Sequence, residues 1–163
     1  MTDVLVNYHI NNQTMVLQPA SHFEYNTIVY EVNRTLFVNK TAIQLIKAAC
    51  LSGGAAYDGR RTAVMYQTGA NRKVPIPISP SKNIFAFPTR SPSKFDCHWI
   101  FYNHIESIKP THTSQKNTKS IFSFKNGQQL AMNESYYLLE KQMQRTAFCI
   151  LQYTAFLNHR FTI

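Results

Sequence analysis

The sequence predicts an α+β fold in one domain over residues 1–163, with a mostly antiparallel sheet of short strands. Three observations support this prediction. Short runs of β-branched and apolar residues alternate with turn residues through most of the chain. Two segments instead repeat apolar residues with the helical period, which indicates a short helix near 41–51 and a long C-terminal helix near 135–157. A chain of 163 residues, 44% of them hydrophobic, can bury a core without disulfides or metals.

The first forty residues predict strands that are joined by turns. Strands are expected at residues 4–9, 14–17, 27–32 and 35–38. The first two alternate weakly around a turn at Asn11-Asn12. The last two are separated by Asn33-Arg34, which fits a two-residue hairpin turn.

Residues 41–51 predict an amphipathic helix. Apolar side chains recur there with the spacing i, i+3, i+4, i+7, at Ala42, Leu45, Ile46 and Ala49. Either Asn39 or Thr41 can accept hydrogen bonds from the free N–H groups of the first turn. Gly53-Gly54 can supply the left-handed residue that ends the helix.

Residues 55–94 are rich in glycine, proline and serine, and they predict ordered loops with strands at 62–67 and 84–87. Each proline removes a backbone donor, so a long central strand is excluded and strands at the edge of a sheet are favoured. Five prolines act in this way: Pro75, Pro77, Pro80, Pro88 and Pro92.

The C-terminal half predicts further strands and then the long helix. Strands are expected at residues 99–102, 105–109 and 121–130, with a polar exposed loop at 111–118. Asn126-Gly127 is a strong hairpin signal. The helix carries an apolar row that either forms a dimer face or covers the sheet: Leu139, Met143, Ala147, Ile150, Leu151 and Thr154.

The net charge of +9 is carried entirely by residues 34–94. That stretch contains a single acid, Asp58, while the basic and acidic residues of the remainder cancel. Such an asymmetry predicts a polyanionic partner that docks on one region. Ten basic residues are involved: Arg34, Lys40, Lys47, Arg60, Arg61, Arg72, Lys73, Lys82, Arg90 and Lys94.

The sequence does not favour an enzyme or a cofactor. Cys50, Cys97 and Cys149 contain no Cys-x-x-Cys pair, so neither a disulfide framework nor a zinc finger is indicated. Cys97-His98 with His104 and His112 lacks the spacing of metal ligands. Phosphate-binding and nucleophile-elbow motifs are missing, and acids are too few to hold magnesium. Without a signal peptide or a membrane-length apolar run, we expect a cytoplasmic protein with no membrane partner.

Several segments together resemble the bacterial competence transcription factor family ComK. The first is Tyr57-Asp58-Gly59-Arg60-Arg61, which is similar to the Tyr-x-Gly-Arg-Lys/Arg element of that family. Others are the stretches at 73–81 and 84–89, Cys97-His98-Trp99-Ile100, and the hairpin at 122–127. Ser135-Tyr136 and the stretch at 144–147 complete a resemblance that covers about residues 27–157.

The resemblance implies a transcriptional activator of DNA-uptake genes in a Gram-positive bacterium. Members bind paired A-rich/T-rich boxes in double-stranded DNA, chiefly through the minor groove. They act as dimers that assemble into tetramers, and they need no small-molecule cofactor. The implied location is the nucleoid in the cytoplasm, with RNA polymerase as a further partner.

One departure from the family pattern concerns the C-terminus. Members usually continue with a tail that the adaptor MecA recognises for delivery to the protease ClpCP. This chain stops at residues 159–163 without that element. The expectation of MecA and ClpCP as partners, and of full assembly, is therefore weaker than the expectation of DNA.

Residue roles follow from charge and local chemistry. Arg60 and Arg61, placed after a predicted turn, are the expected readers of the narrow, electronegative minor groove of A/T-rich DNA. Phosphate contacts are expected from Arg72, Lys73, Lys82, Arg90 and Lys94, and secondarily from Lys40, Lys47, Lys116, Asn117 and Lys119. Because the minor groove presents A·T and T·A alike, such a reader selects A/T-richness.

Two other functions remain open from the sequence alone. In the first, the protein is an RNA or single-stranded nucleic-acid binding module, with Phe122 and Phe124 stacking on bases. In the second, the basic region binds an acidic protein partner. We expect both phenylalanines to lie in the core.

Overall fold

A seven-stranded sheet forms the middle layer of the protein. The computed structural model describes residues 3–112 and 117–161. The strands are β1 Val4–Leu5, β2 Thr14–Pro19, β3 Thr27–Glu31, β4 Thr35–Val38, β5 Ile76–Ser79, β6 Ile84–Pro88 and β7 Trp99–Phe101. Across the sheet their order is β1-β4-β3-β2-β7-β6-β5. Neighbouring strands are antiparallel, except that β1 runs parallel to β4.

Helices cover one face of this sheet, and a smaller sheet with a third helix covers the other. The helices are α1 Ala42–Ser52, α2 Tyr57–Thr68 and α3 Tyr136–Phe161. The smaller sheet is antiparallel in the order β10-β9-β8, and its strands are β8 Ile105–Pro110, β9 Ser120–Phe124 and β10 Gln129–Met132. The predicted α+β class, the mostly antiparallel sheets and the long C-terminal helix are therefore confirmed.

The middle sheet is buried on both faces because adjacent strand residues point in opposite directions. Leu17 and Trp99 pack with Leu45 and Ile46 of α1. Their chain neighbours Val16 and Ile100 instead belong to the cluster that contains Phe122, Phe124 and Leu139, from the small sheet and α3. A third cluster joins α2 to α3 through Val64, Val74, Phe85 and Cys149.

Local signals determine where α1 begins and where the last hairpin turns. Thr41 is the N-cap of α1: its hydroxyl accepts from the Gln44 N–H, and its own N–H donates to Gln44 Oε1 at 2.9 Å, a reciprocal capping box. The β9–β10 hairpin forms around Asn126-Gly127 as predicted, and its loop also includes Lys125, since the Gly127 N–H donates to the Phe124 carbonyl and Gly127 has φ +92°. Glycine is favoured at that position because its missing Cβ removes the steric penalty of a positive φ.

The strand predicted at residues 62–67 is wrong, because these residues belong to α2. Asp58 lies in its first turn, where a carboxylate suits the positive end of the helix dipole. Gly69, at φ +75°, ends it. Tyr57 and Val64, seven residues apart, are the buried side chains of this helix. Tertiary packing of that face outweighs the strand preference of its β-branched residues.

Two turn predictions also need correction. β1 does not form a hairpin with β2 but pairs with β4, with Val4 opposite Phe37. The β3–β4 hairpin forms, but its turn is one residue earlier than predicted, since the Glu31 N–H donates to the Arg34 carbonyl across Val32-Asn33.

The apolar row of α3 covers the sheet. Leu139 is buried, and Met143 and Ile150 pack against core clusters. Leu151, by contrast, is 64% exposed, and Thr154 is exposed as well. Of the two roles considered for this row, a dimer face or a cover for the sheet, the structure supports the cover for Leu139, Met143 and Ile150. No helix within the described residues has both the length and the hydropathy to cross a membrane.

A close approach at the end of α1 generates the first prediction. A Cβ added at Gly53 would collide with the carbonyl oxygen of Ile78, whereas one at Gly59 in α2 would meet nothing. Gly53→Ala is therefore expected to lower the free energy of unfolding by about 1–3 kcal/mol through overpacking. Gly59→Ala is expected to raise it by about 0.5–1 kcal/mol through helix propensity. Urea unfolding measures both, and equal effects would contradict the packing described.

A buried carboxylate ties the N-terminal segment to the β3–β4 turn. Glu31 is only 5% exposed and accepts from Tyr8 Oη, Arg34 Nε and Asn11 Nδ2. Burial alone would raise the pKa of Glu31, but these hydrogen bonds outweigh it and hold the pKa below its ordinary value. Burial and the same contact raise the pKa of the Tyr8 hydroxyl.

This network predicts a pH dependence of stability. A carboxyl group with a lowered folded-state pKa stabilises the fold above its ordinary pKa of 4.5 and loses that contribution as the pH falls through the folded value. Glu31→Gln should therefore flatten the fall in unfolding free energy between pH 7 and pH 3. Glu106→Gln, at an exposed position of β8, is the control and should retain the wild-type slope. Identical slopes for both variants would exclude Glu31 as the source.

Candidate nucleic-acid interface

Basic side chains gather on and around the two helices that cover the middle sheet. We call this set the α1–α2 basic surface; its members are Lys40, Lys47, Arg61, Lys82 and Lys94. Lys94 shares a cleft with Thr41 and the first turn of α1. At the other end of α1, Lys82 shares a cleft with Ser52 and Gly53. The fold thus brings together residues that are up to 54 positions apart in the chain.

The middle of this surface lies between α1 and α2. Lys47 Nζ is 5.8 Å from the centre of the Tyr57 ring, a cation–π distance. Burial raises the pKa of the Tyr57 hydroxyl, and the nearby positive charge of Arg61 acts in the opposite direction. No member of the basic surface forms an ion pair with another described residue. These charges are therefore available to an external anion.

Arg60 has a different position from the one expected. It lies in the first turns of α2, not after a loop, and is half-buried. Its guanidinium donates to the Gly53 carbonyl at 2.9 Å and contacts Tyr153 of α3. The Gly53 carbonyl follows the C-terminal end of α1, where the helix dipole favours a cation. Arg60 therefore joins three helices, whereas Arg61, which is equally half-buried, forms no hydrogen bond or ion pair with another described residue. Arg61 is thus the one of the two predicted groove readers whose guanidinium is free to bind an external group.

Arg90 is also occupied within the fold. Its guanidinium pairs with Asp96 at 2.9 Å and with Glu134 at 3.3 Å. These contacts fasten the loop between β6 and β7 to the residues that precede α3. The predicted role of Arg90 as a phosphate contact is therefore weakened, because two carboxylates already compensate its charge.

Arg72 and Lys73 lie apart from the α1–α2 basic surface, in the connection from α2 to β5. They line a separate cleft with Lys141 and Arg145 of α3. Sequence reasoning missed these two α3 residues as candidates. The sequence signal was a pair of basic residues four positions apart, about one helical turn, and nothing in that spacing identifies which loop they face.

The remaining residues that were predicted to contact DNA lie in the opposite layer of the fold or outside the described residues. Lys119 precedes β9, and its N–H donates to the Met132 carbonyl within the small sheet. Asn117, exposed at φ +73°, lies in the same connection. Lys116 lies outside the described residues. The structure therefore does not bring Asn117 and Lys119 together with α1 and α2.

The base-stacking alternative conflicts with burial. Phe122 is fully buried and Phe124 is 3% exposed, and both pack in the core between the two sheets. Their rings cannot stack on bases without unfolding that core. The prediction that they are core residues is confirmed.

The cysteines are buried and chemically protected. Burial raises the pKa of Cys50 and of Cys97 to about 11 and that of Cys149 to about 12. A thiol is a poor nucleophile and a poor metal ligand when its thiolate is so disfavoured. Across residues 3–112 and 117–161, no three His, Cys, Asp or Glu side chains are grouped as metal ligands would be.

Comparison with known proteins first indicates the class. A protein of Bacillus subtilis (strain 168) named "Competence transcription factor" is 28% identical over 157 residues, which are 96% of this chain and 80% of that protein. The class that this relative represents is that of competence transcription factors, which is not a class of enzymes. A family model described as "ComK protein" matches residues 5–156, so the chain belongs to the ComK family. No solved structure matches the chain.

The two neighbouring arginines of α2 should respond differently to substitution. Arg60→Ala removes a charged hydrogen bond at a half-buried site and is expected to lower the free energy of unfolding by about 1–3 kcal/mol. Arg61→Ala, with no partner to lose, should change it by less than about 0.5 kcal/mol. Thermal or urea unfolding of both variants compares them directly. A larger loss for Arg61→Ala would contradict the assigned roles.

Proposed function

We propose that this protein activates transcription of DNA-uptake genes by binding A/T-rich double-stranded DNA through the minor groove. The observation that carries the proposal is the α1–α2 basic surface, a set of unpaired cations on one layer of a protein of the ComK family. The name of the relative, "Competence transcription factor", supports a regulatory role.

The physical mechanism divides the cations into two kinds. Lysines that neutralise phosphates supply most of the affinity, which then falls with salt because counterions are released. These contacts are carried by Lys40, Lys47, Lys82 and Lys94. Arg61 enters the narrow minor groove of A/T-rich DNA, where the negative potential is strongest. The minor groove does not distinguish A·T from T·A, so the selectivity is for A/T-richness and groove width.

The partners in this proposal follow from a target with paired boxes. Two A-rich/T-rich boxes on one duplex are occupied by two copies of the chain, so the active form is a dimer or a tetramer. Recruitment of RNA polymerase to the neighbouring promoter completes activation. The protein acts on the nucleoid in the cytoplasm, and it needs no cofactor for this binding.

Fluorescence anisotropy at one fixed salt concentration tests the proposal. The two probes are a duplex with two A-rich/T-rich boxes and a G·C-rich duplex of equal length. We expect tighter binding to the A/T duplex, reversed by a minor-groove drug. Arg61→Ala should weaken binding to the A/T duplex by roughly tenfold, from about 1–3 kcal/mol for a base-reading arginine. Lys125→Ala, an exposed lysine on the β9–β10 turn, is the control.

The other outcomes separate the alternatives. Equal, salt-sensitive binding to both duplexes would leave only nonspecific charge attraction. Tighter binding to a single strand than to either duplex would favour a single-stranded nucleic-acid module. No binding to any of these probes would favour an acidic protein partner.

A further inference from the structure

A cleft of about 520 Å³ separates the α2–β5 connection from α3. Four cationic side chains line it: Arg72 and Lys73 from the connection, and Lys141 and Arg145 from α3. No aspartate or glutamate is among its lining residues. Basic side chains that share a cleft without a counter-charge create a positive potential there, and that potential attracts an anion.

Two polar side chains of α3 hold the connection by its backbone. Gln142 Nε2 donates to the carbonyl of Lys73 at 2.9 Å and to that of Pro88 at 2.7 Å. Arg145 donates to the carbonyl of Arg72 at 2.6 Å and to Gln142 Oε1 at 2.7 Å. The backbone of Arg72 and of Lys73 is therefore fixed. The side chains of these two residues form no hydrogen bond or ion pair with a described residue.

The conformation held in this way is an uncommon one. Lys73 has φ +51°, in the left-handed region that residues other than glycine rarely adopt. Such strain persists only where surrounding contacts impose it, and it is concentrated at functional sites. Gln142 and Arg145 bind the two carbonyls on either side of this residue, that of Lys73 and that of Arg72.

We propose that this cleft is a second anchoring site for duplex DNA and binds backbone phosphates. Arg72, Lys73 and Lys141 contact the phosphates, and Arg145 is a positioning residue that acts through the backbone of Arg72. The proposal rests on the proposed DNA-binding function and extends it from the minor groove to the flanking backbone.

The spacing along α2 suits one duplex in contact with both sites. Gly69 lies at the edge of the cleft, eight residues after Arg61. This separation corresponds to about 12 Å along the helix axis. Each DNA strand carries a phosphate about every 3.4 Å of its axis, so that distance corresponds to three or four phosphates.

The salt dependence of binding tests Lys141 as a phosphate contact. Affinities for the A/T duplex and the G·C duplex are measured between 50 and 200 mM salt with the full chain. Lys141→Ala should reduce the salt slope by about 0.9, so that the fall in affinity over this range is about 3.5-fold smaller. The reduction should be the same on both duplexes, because phosphates carry no sequence information.

Lys125→Ala removes the same charge from an exposed lysine of the β9–β10 turn and should leave the slope unchanged. A wild-type slope for Lys141→Ala, or an equal reduction for Lys125→Ala, would overturn the cleft as a phosphate site. Equal affinity of the wild-type protein for both duplexes would refute the minor-groove function instead, while the comparison of slopes would still decide the role of the cleft.

Arg145→Lys tests the positioning role, since it retains the charge. A lysine ammonium lacks the planar fork that holds Gln142 and the Arg72 carbonyl together. The variant should show a smaller dependence of affinity on salt for both duplexes, although its net charge is the same as that of the wild type. The control Lys125→Arg should keep the wild-type salt dependence. A lowered thermal midpoint with an unchanged slope would show that Arg145 serves only the stability of the fold.

Discussion

Burial of the middle sheet on both faces is the constraint on which the rest of this structure depends. Val16 and Leu17 are adjacent in β2, and both are buried, one beneath the small sheet and the other beneath α1. The same holds for Trp99 and Ile100 in β7. A sheet of this kind needs a complete layer on each side, because neither face can be left to water without loss of hydrophobic free energy. The chain between β4 and β5 supplies one layer as α1 and α2, and the chain after β7 supplies the other.

This layering also decides which charges are available to a partner. The basic residues between Lys40 and Lys94 lie in the segment that forms the helical layer and its flanking loops. Since the inner faces of α1 and α2 are occupied by Leu45, Ile46 and Tyr57, Lys47 is left exposed on the outer side, while Arg60 turns inward to the Gly53 carbonyl. The concentration of positive charge in the sequence thereby becomes two separate surfaces: the α1–α2 basic surface, and the cleft that Arg72 and Lys73 share with Lys141 of α3.

Several arginines bind other parts of the chain, whereas the lysines of the basic surface have no such partner. Arg60, Arg90 and Arg145 direct their guanidinium groups at carbonyl or carboxylate oxygens and join separate elements of the chain. A planar guanidinium with several donors can bridge two acceptors at once, which an ammonium group does less well. The lysines, with flexible stems and strongly hydrated heads, remain at the surface. The internal role of Arg60 and Arg90 could not be predicted from charge counting, which treats both as equal candidates for DNA, and Arg145 lies outside the basic stretch that such counting identifies.

The sequence by itself determined the fold class, most of the strands and α1 with its cap region. It also determined the start of α3 near Ser135 and the concentration of positive charge. Each of these features depends on the pattern of residues that are close together in the sequence. Tertiary structure alone decided that residues 57–68 form a helix, that β1 joins β4, and that Arg72 and Lys73 face Lys141 across a cleft. Those features depend on contacts between segments that are distant in sequence, and local propensity is too weak to select among them. The free energy that favours the helix over residues 57–68 comes from burying Tyr57 and Val64. The surface against which these two side chains pack exists only once the sheet and α3 have assembled.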